Sequence, residues 1–281
     1  MEIHSIETGN YMLDGGAIFG VVPKSLWSKQ YPSDENNLCN LSLRCLLLID
    51  GEKKILIDTG LGDKQDAKFL SYYNLNGGTS LRSSLFNVGL NPTDITDIIL
   101  THLHFDHCGG TTLVDSTGSF KPAFENADIW IGKDQWDNAH SPNPREKASF
   151  LKENLVSIAE TGRLKIAEKN ETLFDNISLR QFDGHTIGQL IPILNFKGKK
   201  LVYTADFLPF MAHIPTAWVC GYDTQPIISM NEKENFLKEA VENEYTLFFE
   251  HDLYNECCSL ISTEKGVRAE KSFKLDEWKG M

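Results

Sequence analysis

The chain has 281 residues, 41% of them hydrophobic and 23% charged, which is the composition of a folded globular protein with a substantial core. A formal net charge of −12, from 27 basic and 39 acidic side chains, argues against a broad phosphate-binding surface and so against a nucleic-acid partner. The N-terminus lacks a signal-peptide pattern, no apolar stretch approaches a membrane span, and the six cysteines show no metal-finger spacing. We therefore expect a single domain over residues 1–281, in a reduced cytoplasmic setting without a membrane partner.

Two hairpin patterns open the chain. Residues 11–22 predict two short strands around a glycine turn, and residues 41–57 predict two apolar strands joined at Asp50-Gly51-Glu52-Lys53. The second pattern ends at Asp58. A carboxylate at the end of a buried strand needs partners, so Asp58 is expected to hold a metal-binding imidazole or nearby backbone amides. The alternative is an ordinary strand-end turn.

Three histidines and one aspartate lie within six residues, directly after a further apolar run. In extended backbone, side chains two apart point the same way, so His102 and His104 can bind one cation. A tight turn can present Asp106 and His107 to a second cation, and the glycines at 109–110 let the backbone bend there. Imidazole and carboxylate suit zinc, iron or manganese, and the absence of clustered thiolates argues against a closed structural zinc site. The pattern therefore favours a catalytic metal site.

Three later strands also end in a candidate ligand. A predicted strand over residues 177–182 runs into His185, one over 200–204 runs into Asp206, and the last core strand runs into His251. His185 can supply a third imidazole to the first cation, and a carboxylate at Asp206 can bridge two cations. This recurrence is the strongest functional signal in the sequence.

The segment that follows Asp206 is rich in bulky apolar residues. Next to a metal ligand, such a segment would form an apolar wall suited to an acyl chain or an aromatic leaving group. The alternative for each residue is ordinary core packing. The candidate pocket residues are Phe105, Phe207, Phe210, Met211, His213, Trp218 and Tyr222.

The order of these motifs resembles the metallo-β-lactamase superfamily, from the opening hairpins to His251. The matching motifs are Asp58-Thr59-Gly60, then His102, His104, Asp106 and His107, then His185, Asp206 and His251. The resemblance implies an α/β (α+β) fold, a four-layer αββα sandwich with the metals at one edge.

The resemblance also implies two divalent metal ions per chain, with zinc expected and iron, cobalt or manganese compatible with the same ligands. It places His102, His104 and His185 on the first metal, Asp106, His107 and His251 on the second, and Asp206 between them. Asp58 would orient a ligand, and Asp106 would act in catalysis by holding the water nucleophile and passing a proton to the leaving alkoxide.

Within the superfamily, the opening Leu13 to Gly20 and the segment Thr101 to Gly110 resemble the branch of N-acyl-homoserine lactone lactonases and methyl parathion hydrolase. This similarity implies a quorum-quenching hydrolase of a small hydrophobic lactone or ester. The alternatives are an organophosphate or aryl-ester hydrolase, a di-iron redox protein and a non-catalytic ligand-binding module. The aromatic N-terminal segment also suggests a homodimer.

One position departs from the lactonase pattern. Lactonases of this branch resemble one another in a tyrosine three residues after the bridging aspartate, and this chain has Pro209 there. Either the metals polarise the carbonyl unaided, or Tyr222 or His213 takes the role of that phenol.

Overall fold

The computed structural model describes residues 1–281. The chain divides into two compact units: the first unit comprises residues 1–10 and 43–169, and the second unit comprises residues 11–42 and 170–281. The single-domain organisation stays a prediction. None of the helices combines the length and the apolar character needed to cross a membrane.

Strands and helices are distributed along the whole chain. The strands are β1 (Glu2–Asp14), β2 (Leu38–Asp50), β3 (Lys53–Ile57), β4 (Asp97–Ile99), β5 (Thr112–Val114), β6 (Phe120–Pro122), β7 (Asp128–Gly132), β8 (Leu164–Ala167), β9 (Thr172–Phe174), β10 (Ile177–Phe182), β11 (Gln189–Phe196), β12 (Lys199–Tyr203), β13 (Thr246–Phe248), β14 (Cys257–Thr263) and β15 (Gly266–Phe273). The helices are α1 (Gly15–Phe19), α2 (Lys24–Trp27), α3 (Ala67–Ser71), α4 (Leu81–Asn87), α5 (Phe105–Cys108), α6 (Lys133–His140), α7 (Lys152–Glu160), α8 (Pro226–Glu242) and α9 (Leu275–Gly280).

A six-stranded sheet has the order β1-β2-β3-β4-β7-β8. β2 and β3 form the predicted antiparallel hairpin, whereas β3, β4 and β7 run parallel, with Ile57 of β3 opposite Ile99 of β4. Because parallel strands end at the same edge of a sheet, the residues that follow β3 and β4 emerge side by side. This register brings Asp58 next to the start of the histidine cluster.

A seven-stranded sheet in the second unit has the order β15-β14-β13-β12-β11-β10-β9. β10 and β12 are each antiparallel to β11, and β12 is parallel to β13. The three strands β10, β12 and β13 therefore share one direction and end at the same edge. His185, Asp206 and His251 each follow one of these ends, so one edge of this sheet collects them.

The fold class is confirmed as mixed α/β with more than one sheet. The prediction of two short strands over residues 11–22 is wrong, because β1 continues to Asp14 and helix α1 follows. The Asp14 carboxylate caps that helix by accepting a hydrogen bond of 2.9 Å from the Ala17 N–H. Gly15, which suggested a turn, is instead packed against Trp27, where a Cβ atom would lie 2.3 Å from the indole ring.

We predict that Gly15→Ala lowers the free energy of unfolding by about 1–3 kcal/mol, the usual cost of overpacking. The Trp27 ring cannot move aside easily, because it is buried and stacked on Phe19 at 4.9 Å between ring centroids. Chemical denaturation of both proteins measures the difference. Gly280→Ala is the matched control, since a Cβ atom there meets nothing within 4 Å; equal losses in the two variants would contradict the packing argument.

Candidate metal centre

The histidine cluster of the first unit begins in extended backbone and ends in a helical turn. His104 is extended, with φ −64° and ψ 150°, and it precedes helix α5. His102 Nε2 and His104 Nδ1 lie 3.1 Å apart, so the two side chains point the same way, as their spacing predicts. In a tetrahedral zinc site with bonds of about 2.0–2.1 Å, neighbouring ligand atoms lie roughly 3.3 Å apart. The separation of these two nitrogens fits a shared cation.

Asp58 contacts residues at both ends of this cluster. Its buried carboxylate accepts hydrogen bonds from the Thr101 N–H at 2.8 Å and from the Thr101 hydroxyl at 2.7 Å. The same carboxylate lies 3.1 Å from His107 Nδ1. Because the Thr101 hydroxyl donates to Asp58, it accepts from His102 Nδ1, which lies 3.0 Å away. Asp58 thus orients two imidazoles, one directly and one through Thr101, and in both rings Nε2 keeps its lone pair.

The glycines after the cluster allow a close backbone approach. A Cβ atom on Gly109 would lie 2.0 Å from the Leu61 carbonyl oxygen, and one on Gly110 would lie 2.2 Å from the Thr59 carbonyl oxygen. The Thr59 N–H and hydroxyl both donate to the His107 carbonyl, at 2.8 and 2.9 Å. The segment that follows Asp58 therefore packs directly on the turn that carries His107.

In the second unit, Asp206 lies between two histidines. Its Oδ2 atom is 3.1 Å from His185 Nε2, and its Oδ1 atom is 2.9 Å from His251 Nε2. His185 Nδ1 lies 3.0 Å from an oxygen of Asp223, and His251 Nδ1 lies 2.9 Å from the Ser42 carbonyl oxygen. One carboxylate thus faces two imidazole nitrogens with separate oxygens, which is the arrangement that a bridging ligand requires.

Sequence reasoning missed two of these partners. Asp223 is 38 positions from His185 and sits in an irregular segment, so no spacing pattern marks it. The Ser42 contact uses a backbone oxygen, which every residue has. Neither partner leaves a signal in the residue types.

The charges around His185 favour a cation. Burial alone would lower the pKa of this imidazole, but the carboxylates of Asp206 and Asp223 outweigh it and raise the pKa to about 10. In the first unit, burial raises the pKa of the Cys108 thiol to about 12. This cysteine, which directly follows His107, therefore stays protonated and is a poor metal ligand. The donor set is therefore imidazole and carboxylate, as expected for zinc, iron, cobalt or manganese.

Asp106, a predicted metal ligand of the first unit, and the pocket candidate Phe105 are both buried. The Asp106 carboxylate lies 3.8 Å from His107 Nε2. The Phe105 ring packs against Phe69 at 5.4 Å and Tyr73 at 5.0 Å between centroids. Phe105 thus belongs to an aromatic cluster beside the ligand turn.

The pocket candidates of the second unit differ in their surroundings. Phe207 stacks on Phe182 at 3.9 Å between centroids, and Phe210 packs against Tyr31 at 4.7 Å, so both rings also serve as core. His213 is 1% exposed and stacks on Phe19 at 5.0 Å, and burial lowers its pKa to about 3, which keeps the imidazole neutral.

The other three pocket candidates lie nearer the surface. Met211 and Trp218 are half-buried, and the Met211 N–H donates to Asp252 at 3.0 Å. Tyr222 is 42% exposed.

Candidate metal-binding side chains are present in both units. Histidine and carboxylate ligand atoms of the predicted residues belong to groups that could hold a metal ion; these residues are His102, His104, Asp106, His107, His185, Asp206 and His251. In His102, His107, His185 and His251, Nδ1 contacts a protein oxygen and Nε2 is left for other partners. Metal-binding histidines usually have this arrangement.

Curated proteins with similar sequences include N-acyl homoserine lactonases. The N-acyl homoserine lactonase of Bacillus cereus is 28% identical over 242 residues, which cover 78% of this chain and 85% of that protein. The N-acyl homoserine lactonase of Bacillus thuringiensis is 25% identical over 275 residues, which cover 91% of this chain and 94% of that protein.

Solved structures share the fold over almost the whole chain. A probable metal-dependent hydrolase from Staphylococcus aureus superposes with a TM-score of 0.86 and 32% identity, covering 97% of this chain and 98% of that one. A dizinc quorum-quenching lactonase has the same fold with a TM-score of 0.79 and 24% identity, covering 96% and 94%. The family model of the metallo-beta-lactamase superfamily matches residues 44–251, a range that runs from β2 to His251. The buried histidines and aspartates at the strand ends thus lie within that match, and the chain belongs to the metallo-β-lactamase superfamily of hydrolases.

Proposed function

We propose that this hydrolase opens N-acyl-homoserine lactones with two divalent metal ions. The observation that carries the proposal is the Asp206 carboxylate, whose two oxygens lie 3.1 and 2.9 Å from the Nε2 atoms of His185 and His251. The curated relatives named as N-acyl homoserine lactonases, at 25–28% identity, support the substrate class.

Each proposed metal ligand lies in a segment that directly follows a strand. His102, His104 and His185 would hold the first metal ion, Asp106, His107 and His251 would hold the second, and Asp206 would be shared by both. Zinc is the proposed metal, because the donor set contains five imidazoles and two carboxylates, the ligand types of catalytic zinc sites. When bound, the two ions supply a water nucleophile that is activated at neutral pH and Lewis-acid polarisation of the lactone carbonyl.

The chain's own residues hold the reactants and move the proton. Asp106, beside His107, orients the attacking water and carries its proton to the ring oxygen as the carbon–oxygen bond breaks. Water is thereby added across the ester bond, and the product is an N-acyl-homoserine with a free carboxylate and hydroxyl. The apolar segment after Asp206 provides the wall for the acyl chain.

Tyr222 is the proposed donor to the lactone carbonyl in place of the phenol missing at Pro209. Its side chain is 42% exposed, whereas the His213 ring is packed on Phe19 and Phe210. Tyr222→Phe is expected to lower kcat about 10- to 100-fold without changing metal content, since an oxyanion-side donor acts mainly in the transition state. Steady-state kinetics on a lactone check this; unchanged kcat would assign the role to the metals alone.

We predict that Asp206→Ala loses metal and activity together. The bridging carboxylate serves both ions, so metal content measured by mass spectrometry should fall from about two per chain, and kcat/KM should fall more than about 100-fold. Asp137→Ala is the control, because Asp137 is an exposed carboxylate paired with Lys133 on helix α6. A fully metallated and active Asp206→Ala protein would disprove the bridging role.

We predict that Asp223→Asn weakens metal binding without removing a ligand. The substitution keeps the size of the side chain but removes the charge that orients His185 through Nδ1, and such partners typically contribute 10- to 100-fold in affinity, so a loss of about that size is expected. Competition with a chelator measures the affinity. Excess zinc should restore activity in this variant and should not restore it in Asp206→Ala.

The substrate class is tested directly on the unmodified protein. Metal content is measured together with hydrolysis rates on a panel of acyl-homoserine lactones, aryl esters and phosphotriesters. Two metals per chain with rapid lactone opening is the expected result. If the protein holds two metals and cleaves triesters or aryl esters but no lactone, the proposed substrate is wrong. If it binds iron and consumes oxygen, the proposed reaction class is wrong.

A further inference from the structure

Helix α8 carries a lysine whose ammonium group is buried in the second unit. Lys233 is 3% exposed, and its Nζ atom donates to the carbonyl oxygens of His213 at 2.9 Å, Pro215 at 3.1 Å and Trp218 at 2.7 Å. An ammonium group has three N–H donors. All three N–H donors of Lys233 are therefore bound by backbone carbonyl oxygens of one stretch of the chain, residues 213–218.

That stretch has little regular structure to hold its shape. After the 3-10 turn Met211–His213, no helix or strand occurs before α8 begins at Pro226. The N–H groups of Ile214 and Trp218 make local turns to Met211 and Pro215. The rings of His213 and Trp218 pack against Phe19 of helix α1, and Lys233 joins the backbone of the same stretch to helix α8. Hydrogen bonds from a charged donor are stronger than those between neutral groups, so this backbone restraint is a strong one.

The preceding residue of the helix holds a different loop. Glu232 accepts hydrogen bonds from the Asp183 N–H at 2.9 Å and the Gly184 N–H at 3.0 Å, directly before His185. Consecutive residues of an α-helix point about 100° apart, so the two side chains reach separate segments. Glu232 fixes the loop of a metal-ligand candidate, and Lys233 fixes the segment that follows Asp206.

We infer that Lys233 is a positioning residue that fixes the apolar wall of the acyl-chain pocket and thereby sets the preference for acyl-chain length. The inference rests on the proposed lactonase function for its substrate and on the three carbonyl contacts for its geometry. Burial lowers the pKa of Lys233 to about 8, with the charge of Asp223 opposing that shift, so the side chain is still mainly cationic at neutral pH. Small displacements of a substrate-positioning wall are costly for catalysis.

The test compares Lys233→Met with two other substitutions on the same helix. Lys233→Met keeps the apolar stem and removes all three donors. Lys238→Met is the matched control, since Lys238 is exposed and pairs only with Glu234 at 2.9 Å. Glu232→Gln removes the charged acceptor of the His185 loop and leaves the three carbonyl contacts of Lys233 in place.

Two readouts are measured on the zinc-loaded proteins. Hydrogen–deuterium exchange reports the mobility of residues 211–222 and of residues 183–188, and needs no substrate. Steady-state kinetics with short-chain and long-chain acyl-homoserine lactones give KM and kcat separately. Metal content is determined for every variant.

For Lys233→Met we expect exchange in residues 211–222 to be about fivefold faster or more, because local opening becomes easier, with residues 183–188 unchanged. KM for a long-chain lactone should rise about tenfold more than KM for a short-chain one, with two metals retained. Lys233→Arg, which restores charge and donors, should recover most of the chain-length preference. Glu232→Gln should show the opposite pattern, with faster exchange at 183–188 and lower metal affinity.

Other outcomes overturn the inference. A uniform loss of kcat and stability with unchanged chain-length preference would make Lys233 only a structural residue. Unchanged exchange in residues 211–222 would also show that Lys233 does not position this segment. This result is independent of the proposed function, because the exchange measurement needs no lactone turnover. If Lys233→Met does not fold, Lys233→Gln carries the exchange comparison, because its shorter, neutral side chain has only two N–H donors and cannot bind all three carbonyl oxygens.

Discussion

The orientation of imidazole rings by Nδ1 contacts is the constraint on which the candidate metal centre depends. A free histidine rotates about two bonds and presents either nitrogen, so it loses entropy whenever a metal fixes it. Here four rings are already fixed by an oxygen before any ion binds: a carboxylate for His107 and His185, a hydroxyl for His102 and a carbonyl for His251. The same contacts place the proton on Nδ1 and leave Nε2 basic, which a metal ligand requires.

Strand direction explains why these rings can be collected at sheet edges. In the first unit, β3 and β4 run parallel, and the residues beyond their ends are the orienting Asp58 and the histidine cluster. In the second unit, β10, β12 and β13 share a direction, and each is followed by one ligand candidate. Strand ends are rigid positions, whereas the loops beyond them are free to vary. The ligand candidates therefore lie next to the rigid part of the fold, and the proposed substrate wall is formed by irregular chain.

The ligand candidates of the first unit could be predicted from their spacing in the sequence. The partners that lie far away in the sequence could not. The His-x-His pattern indicates a shared cation because strand geometry alone places His102 and His104 on one face, and His102 Nε2 lies 3.1 Å from His104 Nδ1. Asp58 could be anticipated as a buried strand-end carboxylate. Asp223 could not be anticipated, because it lies in irregular chain 38 positions from His185. Lys233 could not either, because it lies on helix α8 and its partners are backbone carbonyl oxygens 15 to 20 positions earlier, which leave no pattern in the sequence. The helix at Gly15 was missed because a glycine pair suits a turn and a close packing contact equally well.

The groups that orient His185 and His251 differ in how strongly they depend on the identity of one residue. His185 depends on the side chain of Asp223, so nearly any replacement at that position removes the contact. His251 depends on the Ser42 main chain, which accepts at the carbonyl and donates its N–H to the His251 carbonyl at 3.1 Å. Every amino acid supplies that carbonyl, and only proline lacks the N–H. The contact that orients His251 therefore does not depend on the Ser42 side chain, which is buried and separately donates its hydroxyl to the Glu250 carbonyl oxygen at 2.6 Å, whereas the contact that orients His185 depends entirely on the side chain at position 223.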